Sequence, residues 1–130
     1  MEQQAAEAGI ADRVDFSGRK PQTELQDCYD RIDILLMPSR SEGFGLTAIE
    51  GMARGCVPVV AEVGGLPEVV TPDCGLLHRS EDTDDLAAKV AGLSADPARV
   101  ASMSAAAVRR AERFSTSNYR QAIARLYNTL

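Results

Sequence analysis

Two short runs, "IDILLMPS" (32–39) and "VPVVAE" (57–62), constrain this chain more than anything else in it. Each is almost continuously apolar, too short for a buried helix, and closed by a proline or an acid. A strand with one wet face alternates apolar and polar residues; a strand covered on both faces does not. Both runs therefore predict strands packed from two sides, and "CGLLH" (74–78) predicts a third. A fourth, "VDFSG" (14–18), alternates like a short half-exposed strand.

The segments between and after these runs have helical spacing. "MEQQAAEAG" predicts a helix ended by Gly9, and "PQTELQDCYDR" one with Pro21 and Glu24 near its start and Leu25 and Tyr29 on one face. A helix runs from about Leu46 to Arg54 and stops at Gly55, and "GGLPEVV" predicts a turn with a short helix. Past His78 the chain is a helical tail. One helix follows "SEDTDD", a second starts at Pro97, and a third covers "STSNYRQAIARLYNTL" with Tyr119, Ile123 and Leu126 or Tyr127 on one face. Strands alternating with helices predict an α/β fold, a parallel sheet with helices on both faces. Such sheets bind ligands at the carboxyl ends of their strands, so the loops 17–20, 38–45 and 62–65 are expected along one rim.

The length of 130 residues suits one domain, 1–130, and the net charge of −5 argues against nucleic acid or anionic lipid held by bulk electrostatics. Arg109, Arg110 and Arg113 are read as a solvated helix face. No apolar run approaches the roughly 20 residues of a membrane span, and no leader-like start points to secretion. Cys28, Cys56 and Cys74 make no CxxC pair and their number is odd, so no disulfide framework is expected and a reducing cytosol is the simplest home. The one histidine, His78, is expected to end its strand facing water, and no metal site is expected.

The candidate site lies in "SRSEGFGLTAIEGMARG" (39–55), where Glu42 and Glu50 flank a glycine-rich turn. Leu46, Ile49 and Ala53 follow a core-facing stripe, and Glu50 falls on that stripe. A buried carboxylate needs donors, and a vicinal diol of a sugar or ribose can supply two. The helix start offers unpaired N–H groups from about Phe44 to Thr47 to a phosphate or sugar oxygen, and Glu42 can accept from further hydroxyls. That combination suits a nucleotide sugar better than a bare phosphate. Alternatively, Glu50 pairs with Arg54 at i+4 and Glu42 only caps a turn.

"PSRSEGFGLTAIEGMARGCVPVVAEVGGLPEVV", with "VDFSGRK", "YDRIDILLMPS", "CGLL" and the helical tail, resembles the donor-site signature of group 1 retaining glycosyltransferases. The resemblance implies the C-terminal, Rossmann-like half of the two-domain GT-B fold, truncated at its N-terminus. It implies that Glu42 holds donor-sugar hydroxyls as the catalytic-site carboxylate. The amides of Phe44, Gly45, Leu46 and Thr47 would meet sugar and pyrophosphate, and Glu50 the ribose. Arg19 and Lys20 would flank the base, with ordinary loop solvation as their alternative, and Gly64 and Gly65 would let a neighbouring loop approach the ligand closely. It further implies no cofactor and no metal, only a nucleoside diphosphate sugar as donor substrate. Two more strands and basic residues for the pyrophosphate are expected before Met1, and an acceptor domain or second chain is expected as partner. Without those strands Ile32–Met37 has an open apolar edge, which invites a homo-oligomer.

Two rivals remain. A non-catalytic nucleotide-sugar-binding or assembly module shares all these features. "GFGLTA" also fits GxGxxA with Glu62 as a ribose-binding acid, an NAD-type fingerprint. Against it, Pro38 to Glu42 separate strand from glycine, and Pro58 is expected to interrupt the strand leading to Glu62.

Overall fold

The computed structural model describes residues 1–129. Its elements, in chain order, are α1 (Glu2–Glu7), α2 (Gln22–Tyr29), β1 (Ile34–Met37), α3 (Leu46–Ala53), β2 (Val57–Ala61), α4 (Leu66–Val69), β3 (Leu76–His78), α5 (Thr83–Ser94), α6 (Pro97–Glu112) and α7 (Thr116–Thr129). The strands form one parallel sheet in the order β1-β2-β3, with Ile34 beside Val57 and Val59 beside Leu76. This is the expected architecture, and Leu130 of the predicted last helix lies outside the described residues.

Both faces are covered, which is why the central run carries no polar residue. On one face Met37 and Val60 meet Ala48 and Met52 of α3, Leu66 and Val69 of α4, and Ala106, Ala107 and Ala111 of α6. On the other, Val57 and Val59 meet Leu93 of α5 and Met103 of α6. Every residue of β2 is buried; full burial of a valine contributes about 1.5–3 kcal/mol. Helix α6 thus touches both layers. Its start is fixed by Asp96, whose side chain accepts from the Arg99 amide at 3.0 Å, with Pro97 in the first turn. Helix α5 begins likewise at Asp82, which accepts from the Asp85 amide at 2.8 Å.

Four expectations are corrected. Residues 14–18 are extended but belong to no strand, because no described element offers their N–H and C=O groups a ladder. The loop 17–20 therefore leaves no strand end, and the third loop of the carboxyl rim is the one after β3. Pro58 does not interrupt β2. It pairs opposite Leu35, and its lost N–H falls on the β3 side, where pairing begins only at Val59. His78 ends β3 as expected but is 2% exposed, with Nδ1 2.8 Å from the Arg79 carbonyl and Nε2 without a partner. Last, the buried stripe of α3 is Ala48, Gly51 and Met52, whereas Leu46 is 64% exposed and Ala53 is exposed.

Strand β1 forms one edge of the sheet, and Leu36 on it is 45% exposed.

Candidate functional site

The loop leaving β1 and the loop leaving β2 meet at the rim. Gly65 donates its amide to the Gly43 carbonyl at 2.9 Å. A Cβ on Gly64 would drive into the Glu42 carbonyl oxygen, and one on Gly65 would sit 2.6 Å from the Gly43 oxygen. Gly64 also has φ +53°, which L side chains rarely adopt. These two glycines bring one loop against the other, with the Glu42–Phe44 backbone as the neighbour they admit.

Gly45 then opens α3 in the left-handed region at φ +82°, with the Leu66 side chain packed beneath it. No side chain caps this helix, and its first internal bond is Ile49 N–H to the Gly45 carbonyl at 3.1 Å. The amides of Leu46 and Thr47 thus have no acceptor within the helix, and the dipole adds partial positive charge beside them. Leu46, Thr47 and Phe44 are exposed at this point. Glu42, half-buried, accepts from the Gly43 amide at 3.1 Å.

Glu50, one turn into α3, is half-buried rather than in the core. It does not pair with Arg54. That guanidinium turns instead to Asp30 and binds it with two donors, Nε at 2.8 Å and Nη2 at 2.5 Å. The partner of Glu50 is the Tyr29 hydroxyl, which donates to Oε2 at 3.4 Å. Burial, and then the negative charge of Glu50, push the Tyr29 phenol above its ordinary value. Tyr29 was legible in the sequence only as one side of an amphipathic helix; nothing in its spacing pointed to Glu50, 21 residues on.

Among the described residues, neither Arg19 nor Lys20 hydrogen-bonds or ion-pairs with Glu42 or Glu50. Arg19 is exposed, and Lys20 lies 3.9 Å from Glu24 in a hollow lined by Asp15, Ser17 and Asp27. Arg110, read as part of a solvated face, is half-buried and hydrogen-bonded to the chain end of α4. Sequence spacing shows a basic cluster there but not which arginine turns inward.

A parallel sheet covered on both faces, with an uncapped helix start at its carboxyl rim, has the general form of a Rossmann-like α/β domain. The family is narrower: the chain belongs to the glycosyl transferases of group 1, whose pattern matches residues 1–110. The D-inositol 3-phosphate glycosyltransferase of Thermobispora bispora is 43% identical over 124 residues, covering 95% of this chain and 29% of that protein. The lipopolysaccharide core biosynthesis mannosyltransferase LpsB of Rhizobium meliloti is 37% identical over 135 residues, covering 100% of this chain and 38% of that one. Among solved structures, sucrose-phosphate synthase of Thermosynechococcus elongatus has a TM-score of 0.87 at 32% identity, covering 98% of this chain and 33% of that one. Anabaena HepE, solved in complex with UDP and glucose, has a TM-score of 0.86 at 26% identity, covering 99% and 35%. The chain therefore spans 29% to 38% of the length of these two curated relatives.

Proposed function

We propose that this chain is the donor-binding domain of a retaining glycosyltransferase, which moves a sugar from a nucleoside diphosphate sugar to a hydroxyl acceptor. The observation that carries the reading is Glu50, a half-buried carboxylate on a helix with an uncapped start, whose i+4 cation, Arg54, is engaged by Asp30. A carboxylate so placed keeps acceptor capacity for a ribose diol. Glu42 takes the sugar hydroxyls, and the amides of Phe44 to Thr47 take the pyrophosphate. Charge builds on the departing diphosphate during transfer, and preorganised amides at a helix N-terminus stabilise it without reorganising. No metal is assigned a part. Arg19 and Lys20 are assigned to flank the base. That HepE was solved with UDP and glucose supports a nucleotide-sugar partner.

The domain works with an acceptor-binding partner, in the same polypeptide or another chain. Alone it binds donor without turnover, because holding an acceptor in place supplies about 7–11 kcal/mol of the barrier. Three free cysteines are consistent with a cytoplasmic home.

A thermal-shift panel of nucleoside diphosphates and their sugars, with NADH as rival, tests the reading. Nucleotide sugars should raise the melting temperature and NADH should not. In calorimetry, E50A should weaken nucleoside diphosphate binding by about 1–3 kcal/mol, as for charge-assisted hydrogen bonds. Unchanged affinity in a folded E50A chain would remove Glu50 from the site.

A further inference from the structure

The loop that carries Glu42 and the start of α3 has supports outside the motif, and they converge on one side chain. Arg110, on α6, donates from Nε to the Val69 carbonyl at 3.1 Å and from Nη2 to the Glu68 carbonyl. It thereby ties down the end of α4, the helix that follows the Gly64–Gly65 turn. Its guanidinium carbon lies 5.2 Å from the centre of the Phe114 ring. The Phe114 ring in turn meets Phe44 edge to face, centroids 5.7 Å apart and planes at 77°.

We propose that Arg110 and Phe114 are positioning residues for the Glu42–Thr47 segment. That segment is held from two sides. On its backbone side is the Gly64–Gly65 turn, carried by α4; on its side-chain side is Phe114, gripping Phe44. Arg110 joins both supports to α6. Arginine suits the place: separate nitrogens of one guanidinium reach two carbonyls while its carbon stays over the Phe114 ring, whereas a lysine must serve all three partners from a single nitrogen. Phe44 itself is 52% exposed and is not fixed by burial, so its orientation depends on the ring beside it. The value of this support to ligand binding rests on the donor-site reading; the mechanical coupling does not.

Amide hydrogen exchange on the ligand-free chain tests the coupling directly. In R110K and F114L, exchange at the Ile49 and Gly65 amides, which are bonded to the Gly45 and Gly43 carbonyls of the segment, should rise about two- to tenfold, the range expected from losing an aromatic contact. Amides of β2 and α5 should stay as in the wild type. The double variant should fall short of the summed single effects, since both substitutions remove the Arg110–Phe114 contact. F114Y should behave as the wild type. If R110K or F114L does not fold, F44L removes the same contact from a half-exposed position and should raise the same amides. Unchanged exchange at the Ile49 and Gly65 amides in F44L, or an equal rise throughout the chain in R110K and F114L, would overturn the proposal. Calorimetry with UDP and 2′-deoxy-UDP then separates the two readings. R110K should weaken both alike and preserve their ratio, because Glu50 is untouched. Failure of wild type to bind UDP would sink the donor-site reading while leaving the exchange result standing.

Discussion

The Tyr29–Glu50 hydrogen bond links α2 to the candidate site. Tyr29 is 7% exposed, and its raised phenol pKa follows from burial first and the Glu50 charge second. A group with a raised pKa lends its stability fully below the unfolded value, about 10 for tyrosine, and loses it as pH climbs through the folded value. Y29F keeps the ring and removes the ionisation. Its melting temperature should therefore fall less steeply than wild type on the alkaline side of pH 10. At neutral pH the lost hydrogen bond should cost no more than about 1.5 kcal/mol. Parallel alkaline melting curves for the two proteins would show that Tyr29 is not held by burial and Glu50 as described. The Glu42–Glu50 spacing was legible from sequence because motif residues lie close along the chain. The Tyr29, Arg54 and Arg110 partners were not, because each is set by packing between elements far apart in sequence. The i+4 rule favoured Arg54 for Glu50, and Asp30, just past the end of α2, outcompeted Glu50 by accepting from two Arg54 donors.

Helix α5 shows what local sequence does decide. Its start, "EDTDD", places Asp82 to cap the Asp85 amide, while Asp85 accepts from the Arg79 amide at 2.8 Å and from Lys89 one turn on. The Lys89 bond, then the Arg79 amide, hold the Asp85 carboxyl below its ordinary value. A depressed pKa contributes stability above the unfolded value, about 3.9, and that stability is lost as pH falls through the folded value. D85N should melt lower than wild type at pH 7, and the gap should close in acid. A gap that persists at pH 2 would assign the loss to packing instead. D82A should cost about 1 kcal/mol, the usual effect of losing an N-cap. Helix faces were harder to read than helix starts. In α3 a short apolar-rich sequence allows several stripes, and the small residues Ala48 and Gly51 take the core because α3 packs close to the sheet. A Cβ on Gly51 would lie 2.6 Å from the Leu35 side chain. Hydrophobicity alone assigned that place to Leu46.

For the whole molecule, the unbroken apolar runs were sufficient to identify a parallel sheet covered on both sides. "VDFSG" was misread because alternation is a property of a segment, whereas a strand is a property of a pair. The free flank of β1, with Leu36 outward, should drive self-association. Light scattering at low micromolar concentration should report particles larger than the 13.9 kDa monomer. L36K should return the chain to monomer, and a dispersed wild-type monomer would show that the edge is quiet. Helix α6 bears on a different property. Met103 belongs to one layer of the core and Ala106, Ala107 and Ala111 to the other, so one rigid rod is shared by both. Neither layer can melt while the other keeps its share of that rod in place. Heat should therefore take the molecule apart in a single step, with the calorimetric enthalpy equal to the van't Hoff value. Two resolved peaks would mean that the rod lets go of one layer first.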